Sequence, residues 1–206
     1  RDLHSFPTRR SSNLVVNRPE EALEHLKKAE ELSNQESEYL AQIYQETAFT
    51  YSALHDVDKA IEALEKTSEL PCNHADMEVL KGHILLENEK MEEATNAFKK
   101  ALLKSDSSPE IMIRILVSLY DNHLVQAAYA IFKRFYKTIV DEDYQNGHAY
   151  MALCCWDLKK DQEFLDYLKL SCERNPQEAR LVLGNLFPEK MKVEDYYNYM
   201  KEKLTS

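Results

Sequence analysis

The sequence predicts an all-α fold built from repeated pairs of antiparallel helices, and three observations carry this prediction. A cadence of small, large apolar and small residues returns at a period of about 34 residues along the chain. The chain of 206 residues is 44% apolar, which is enough to form a sizeable core. It contains only three glycines, so it is poor in the turn residues on which β-rich folds depend.

The cadence marks one helix of each pair, because its members are three and four residues apart and share one stripe of a helix. Small residues in that stripe let neighbouring helices approach, and the large residues fill the space between them. The copies are Ala22-Leu26-Ala29, Ala60-Leu64-Thr67, Ala94-Phe98-Ala101, Ala128-Phe132 and, in weaker form, Phe164-Leu168-Ser171. About sixteen residues ahead of the later copies lies a second apolar set, such as Tyr44, Ala48 and Tyr51 before Ala60, so each copy holds two helices.

The order of helices follows from these two patterns and from proline. Pro19, Pro109 and Pro176 each precede an acidic or helix-forming run, where a first-turn proline loses no intrahelical hydrogen bond. Helices with the cadence are predicted over 18–32, 57–69, 91–104, 124–139 and 161–174. Their partners are predicted over 36–54, 75–88, 109–121 and 144–158, and two further helices over 177–186 and 193–204. Connections as short as His55-Asp56 require the helices of a pair to pack antiparallel.

This organisation resembles the tetratricopeptide repeat (TPR) family over residues 18 to about 176. Pro71 and Pro176 fall where that family often closes a repeat, and Gly82 matches its small residue in the first helix. Two features depart from the family pattern: no repeat has tryptophan at the early aromatic site, and Phe135 stands where a small residue is usual. The resemblance implies a right-handed α-solenoid of about four and a half repeats, whose first helices line a concave side.

The predicted end of this array is the amphipathic segment 193–204. We expect one TPR-like helical domain over 14–204, in which this segment covers the apolar end of the solenoid as a capping helix. The apolar residues of its stripe are Val193, Tyr196, Tyr197, Met200 and Leu204. The alternative is that the segment folds into the groove as an internal ligand.

Residues 1–13 look like the translated reading frame of a sequencing-adapter oligonucleotide, and we exclude them from the fold argument. The competing interpretations are a basic, serine-rich targeting arm and a disordered tail. The segment 19–32 has the pattern of a second helix with no first helix before it, so we expect the chain to be the C-terminal fragment of a longer protein. Truncation there would expose an apolar stripe, through which copies of the chain could self-associate.

Charge and composition argue against several classes of function. A formal charge of −10 disfavours nucleic-acid binding, which needs a clustered basic surface. The sequence has no run of about 20 apolar residues, so it predicts no membrane span. Its cysteines lack the spacing of a zinc site or redox pair, which favours free thiols in a reducing compartment and a cytoplasmic protein; they are Cys72, Cys154, Cys155 and Cys172.

The sequence also lacks the usual catalytic motifs. It has no glycine-rich phosphate loop, no His-Glu-x-x-His helix and no serine elbow flanked by glycines. Its seven histidines include no pair at the one-turn spacing that would place two imidazoles on one metal ion. We therefore expect no enzyme, no cofactor and no metal site.

A protein-interaction scaffold is the leading functional hypothesis, with a peptide or helix of a partner protein bound in the concave groove. The predicted register places on that groove Gln42, Gln45, Phe49, Val79, His83, Ile113, Val117, Tyr120, Ala149, Leu153 and Trp156. Some TPR proteins hold the terminal carboxylate of a chaperone tail with basic and amide residues on their first helices. The comparable positions here are Gln45, Phe49, Val79 and His83, so that clamp is absent.

Two alternatives to this hypothesis stay open. Phe49, Tyr120 and Trp156 could instead be ordinary packing between repeats, because aromatic residues at helical spacing often belong to a core. The chain could instead be the regulatory or substrate-recruiting arm of a larger enzyme or signalling protein whose catalytic domain lies upstream.

Overall fold

The structure, a computed structural model, describes residues 18–33, 36–71, 74–139 and 147–205. Within these ranges the chain forms eleven α-helices and no strand, which confirms the predicted all-α fold. The helices are α1 (Pro19–Leu32), α2 (Ser37–Ala53), α3 (Val57–Lys66), α4 (Ala75–Glu87), α5 (Met91–Lys104), α6 (Pro109–Asp121), α7 (Val125–Ile139), α8 (His148–Asp157), α9 (Asp161–Arg174), α10 (Pro176–Leu183) and α11 (Tyr196–Thr205). The adapter-like residues 1–13 lie outside the described residues.

The predicted and observed helices differ mainly at their ends. Two predicted helices close in a short 3₁₀ turn, at Thr67–Glu69 after α3 and at Gly184–Leu186 after α10. A third 3₁₀ turn, Val193–Asp195, leads into α11. Such turns are common at helix termini, because their tighter hydrogen bonds satisfy backbone groups that the α-helix leaves unpaired.

The chain is divided into two compact units, with the boundary between Ser107 and Ser108. The first contains α1 to α5 and the second contains α6 to α11. Consecutive helices pack in pairs, α2 with α3 and α4 with α5 in the first unit, and α6 with α7 and α8 with α9 in the second. These are the predicted helical hairpins. The expectation of one domain over 14–204 stays a prediction.

The same turn geometry joins the two helices of each pair. The first residue past the helix cap has a left-handed backbone, with φ between 57° and 62°, in all four turns: His55, Glu89, His123 and Lys159. The next amide donates to the carbonyl five residues earlier, as Asp56 does to Tyr51 at 2.9 Å. This bond and the one before it form a Schellman motif. The four positions are 34, 34 and 36 residues apart, so the sequence period is also a period of the backbone.

The cadence residues form the core of both units, as predicted. Ala60, Ala94 and Ala128 have no accessible surface, and the large residues that follow them are buried. Only Leu26 and Ala29 of α1 are half-buried among the cadence residues. The alanines therefore lie where neighbouring helices approach most closely, and a larger side chain there would force the helices apart.

Gly82 in α4 lies against the ring of Phe98 in α5. A Cβ atom at position 82 would be 2.4 Å from Cε1 of that ring, far inside van der Waals contact. Glycine is therefore needed here for space, although it lowers the intrinsic helix propensity of α4. This contact is the reason for the small residue that the sequence pattern places in the first helix.

The C-terminal helix α11 packs against α9. Its side chains Tyr196 and Met200 are buried, and the ring of Phe187 stacks on that of Tyr196 with centroids 3.7 Å apart. The helix thus covers apolar surface of the last pair, as expected for a capping helix. Its main contact is with a second helix, α9, rather than with the first helices that the groove hypothesis concerns.

Candidate functional site

The predicted groove residues of the first unit lie on α2 and α4. Solvent reaches Gln42, which is exposed, and Gln45, which is half-buried. By contrast, Phe49, Val79 and His83 are buried. These three side chains therefore contribute to packing within the unit, and the accessible part of the predicted surface is polar.

The predicted residues of the second unit lie on α6 and α8. Buried among them are Ile113, Val117 and Ala149. The half-buried residues are Tyr120, Leu153 and Trp156, which combine a fixed position with accessible surface. A partner could touch these three side chains without disturbing the core. A binding role for any of the eleven residues stays a prediction.

A hydrogen bond connects the C-terminal ends of the two first helices of this unit. The Tyr120 hydroxyl on α6 donates to Oδ2 of Asp157 on α8, with 2.5 Å between the oxygens. Burial and this hydrogen bond raise the pKa of Tyr120, so the hydroxyl stays protonated and remains a donor at neutral pH. The contact brings Tyr120 next to the last turn of α8, where Leu153 and Trp156 also lie.

Trp156 is the only tryptophan of the chain and is fixed from two sides. Its ring packs on the buried Phe164 of α9, with centroids 5.1 Å apart and a tilt of 53°. Nζ of Lys159 lies over the ring, 5.3 Å from its centroid. We define the Tyr120–Trp156 surface as Tyr120, Leu153, Trp156 and Asp157.

A buried carboxylate holds the N-terminal end of α8. The Gly147 amide donates to both carboxylate oxygens of Glu178 on α10, at 3.0 and 3.1 Å. Gly147 has φ of 99°, a conformation that favours glycine. Glu178 has no accessible surface, and this burial raises its pKa to about 7 against the opposing effect of the amide hydrogen bonds. The N-terminal end of α8 is thereby fixed, which supports the side chains at its other end.

Sequence reasoning missed this contact, because its partners are 31 residues apart and share no local pattern. The only local signals are a glycine directly before a helix and an acid in the first turn of α10. An acid in that turn is ordinarily explained by the helix dipole.

A polar cluster that the sequence analysis also missed links α7 with α9. The Tyr129 hydroxyl lies 2.9 Å from both carboxylate oxygens of Glu163, and Lys133 Nζ lies 3.0 Å from Oε2. Lys160 is a second cation near the same carboxylate, at 3.5 Å from Oε1. The hydrogen bond from Lys133 lowers the pKa of Glu163, so it is ionised at neutral pH. The carboxylate of Glu163 therefore forms ion pairs with both Lys133 and Lys160.

The first unit has an open cleft of about 410 Å³ between α1, α2 and α3. Both signs of charge line it, with Glu24, Lys27, Lys59 and Glu62 among its residues. In the part of the chain that the structure describes, no group of three or more His, Cys, Asp and Glu side chains could hold a metal ion. No described helix is long and apolar enough to cross a membrane.

Comparison with known proteins gives one match. The family model of the tetratricopeptide repeat matches residues 77–103, which cover most of α4 and nearly all of α5. Neither the curated proteins nor the solved structures contain a match. The matched segment includes Gly82, Phe98 and the Schellman turn at Glu89.

Proposed function

We propose that this tetratricopeptide-repeat protein is a protein-interaction module that binds a peptide segment of a partner on the Tyr120–Trp156 surface. The observation that carries the proposal is the hydrogen bond between Tyr120 and Asp157. It joins α6 and α8, the first helices that carry the half-buried Tyr120 and Trp156, and first helices carry the ligand surface in the TPR family.

The chemistry of this surface suits an apolar anchor flanked by a hydrogen-bond donor. Trp156 and Leu153 offer apolar area, and tryptophan and tyrosine are enriched among the residues that dominate binding energy. Asp157 offers acceptor oxygens at the edge of that area. Because the packing on Phe164 already orders Trp156, binding would cost little side-chain entropy.

This proposal is narrower than the predicted groove. It concerns the second unit alone, where it treats the buried Ile113 as support for the surface. Gln42 and Gln45 of the first unit are separate candidates. A non-catalytic role in the cytoplasm is part of the proposal. The role of an accessory arm of a larger enzyme has no specific observation in its favour.

The test begins with selection of peptides from a displayed random library on the full chain. Because Trp156 is the sole tryptophan, a tryptophan-free selected peptide that binds at this surface should change the intrinsic fluorescence. We expect Leu153→Ala to weaken binding about tenfold, equivalent to about 1.4 kcal/mol. The matched control is Leu181→Ala, since Leu181 is 60% exposed on α10 and belongs to the same unit.

Circular dichroism must show both variants to be folded. Equal affinity of the Leu153 and Leu181 variants, together with unchanged Trp156 fluorescence on binding, would place the ligand elsewhere and reject the proposed surface.

A further inference from the structure

The charge of this protein is distributed unevenly between its two units. Residues 18–107 carry 10 basic and 20 acidic side chains. Residues 108–206 carry 13 basic and 15 acidic side chains, and three of these acids form the run 141–143. The second unit is therefore much less acidic than the first, and a local basic surface there is compatible with the overall charge of −10.

The basic side chains of the second unit are concentrated on α7. Among the eleven described helices, it alone contains cations and no acid. Its cations are Lys133, Arg134 and Lys137, all exposed. The helix dipole favours a cation in the last turn, which explains Lys137. It does not explain the absence of acids from the first turn, where they are normally favoured.

Counter-ions on the described residues do not neutralise this helix. Glu163 is shared between Lys133 and Lys160. Arg134 and Lys137 form no ion pair with any described residue. No described acid therefore competes with an anionic ligand for these two charges.

Aromatic rings hold two of the cations on α7, Lys133 and Arg134, in position. The Arg134 guanidinium lies over the ring of Phe135, 5.3 Å from its centroid, which positions the planar group while its N–H edges can bond a carboxylate. Lys133 lies over the rings of Tyr129 and Tyr167, at 5.9 Å from each centroid. Both tyrosines are half-buried, so apolar surface adjoins the charges.

We propose that the α7 basic surface, formed by Lys133, Arg134 and Lys137 beside Tyr129 and Tyr167, binds an acidic segment of a partner protein. Its carboxylates pair with Arg134 and Lys137, and an apolar residue of the segment contacts the tyrosines. The surface lies on two second helices, α7 and α9, whereas the Tyr120–Trp156 surface lies on first helices. Each proposal can therefore be tested, and rejected, without the other.

The experiment measures fluorescence anisotropy of a fluorescein-labelled peptide of twelve residues, rich in Asp and Glu with one Phe, on the full chain. The comparison peptide has Asn and Gln in place of the acids. We expect binding of the acidic peptide only, and about tenfold weakening by the double variant Arg134→Ala, Lys137→Ala. The matched control, Lys201→Ala with Lys203→Ala, removes two exposed cations from α11 of the same unit and should have little effect.

Equal weakening by the two double variants would mean unspecific attraction and would overturn the proposal. Failure of the acidic peptide to bind would do the same. A single-stranded oligonucleotide that binds through Arg134 and Lys137 in place of the peptide would assign the surface to nucleic acid instead.

Because the acidic run 141–143 follows α7 in the sequence, the titration is repeated with that run changed to Asn-Gln-Asn. Loss of binding in that variant would also overturn the proposal.

Discussion

Replacement of Gly82 by alanine tests the close approach of α4 and α5. The added Cβ would lie 2.4, 2.6 and 2.9 Å from three atoms of the Phe98 ring. An ordinary contact begins at about 3.4 Å, so the ring or the helix would have to move by about 1 Å. Phe98 is buried and its ring is rigid, so this movement disturbs the core.

The expected change in stability is the difference between two effects. Overpacking of a well-packed core costs about 1–3 kcal/mol. The better helix propensity of alanine returns about 1 kcal/mol. We therefore expect Gly82→Ala to destabilise the first unit by about 1 kcal/mol. In a Phe98→Leu background the clash is relieved, and the same substitution should stabilise by up to about 1 kcal/mol.

Four proteins form a double-mutant cycle: the unchanged chain, Gly82→Ala, Phe98→Leu and the double variant. Urea unfolding followed by circular dichroism at 222 nm gives the free energy of unfolding of each. The control is Gly184→Ala, because a Cβ there meets only Oη of Tyr196, at 3.8 Å. Gly82→Ala should be clearly less stable than this control. Additive effects of the Gly82 and Phe98 substitutions, or stabilisation by Gly82→Ala equal to that of the control, would refute the steric reasoning.

Three further predictions follow from the buried groups and the turns. Burial raises the pKa of Glu178 to about 7 from an ordinary 4.5, so the folded state disfavours the carboxylate. The contribution of Glu178 to stability is fully present below about pH 4.5 and falls by about 3 kcal/mol as the pH rises to about 7. Glu178→Gln should reduce this pH slope in urea unfolding between pH 5 and 7, and an unchanged slope would contradict the assignment. Glu89→Gly should stabilise by about 0.5–1 kcal/mol because glycine accepts the left-handed turn, whereas Lys99→Gly, within α5, should cost about 1 kcal/mol by the same measurement. Burial raises the pKa of Cys154 and of Cys155 to about 12, so peptide mapping by mass spectrometry after iodoacetamide treatment at pH 8 should find both unmodified until urea is added. Rapid modification of the folded protein would show that these thiols are accessible.

The fold could be predicted from the sequence because its evidence is local and repeated. Ala60, Ala94 and Ala128 recur at the same place in each copy, and an alanine within an apolar stripe predicts a helix contact whatever the partner. The site was less predictable. Neighbouring positions on a helix are about 100° apart, so the pattern cannot separate a packed stripe from an adjacent ligand-facing one. The predicted groove therefore included both the buried Val79 and the half-buried Trp156.

Other features needed tertiary information. The Glu178 contact joins residues from different repeats, and no periodicity of either helix indicates it. Phe135 is an intermediate case, since the sequence marks it as a large residue where the family has a small one. The structure departs from helical backbone at that residue, with φ of −107° and ψ of 17°, and α7 is kinked there. The sequence pattern therefore marked Phe135 as unusual but did not predict that the helix is kinked there.

The four Schellman turns have a consequence for the history of this sequence. Histidine, glutamate and lysine occupy the left-handed position that glycine would suit best, so the hydrogen bonds hold the turn whatever its side chain. Substitutions at these positions could therefore accumulate while the helices kept their places. A family model that reads residue identity matches one copy, at 77–103, although the backbone keeps the same turn four times. The backbone turn has thus kept its geometry where the residue identities of the copies have diverged.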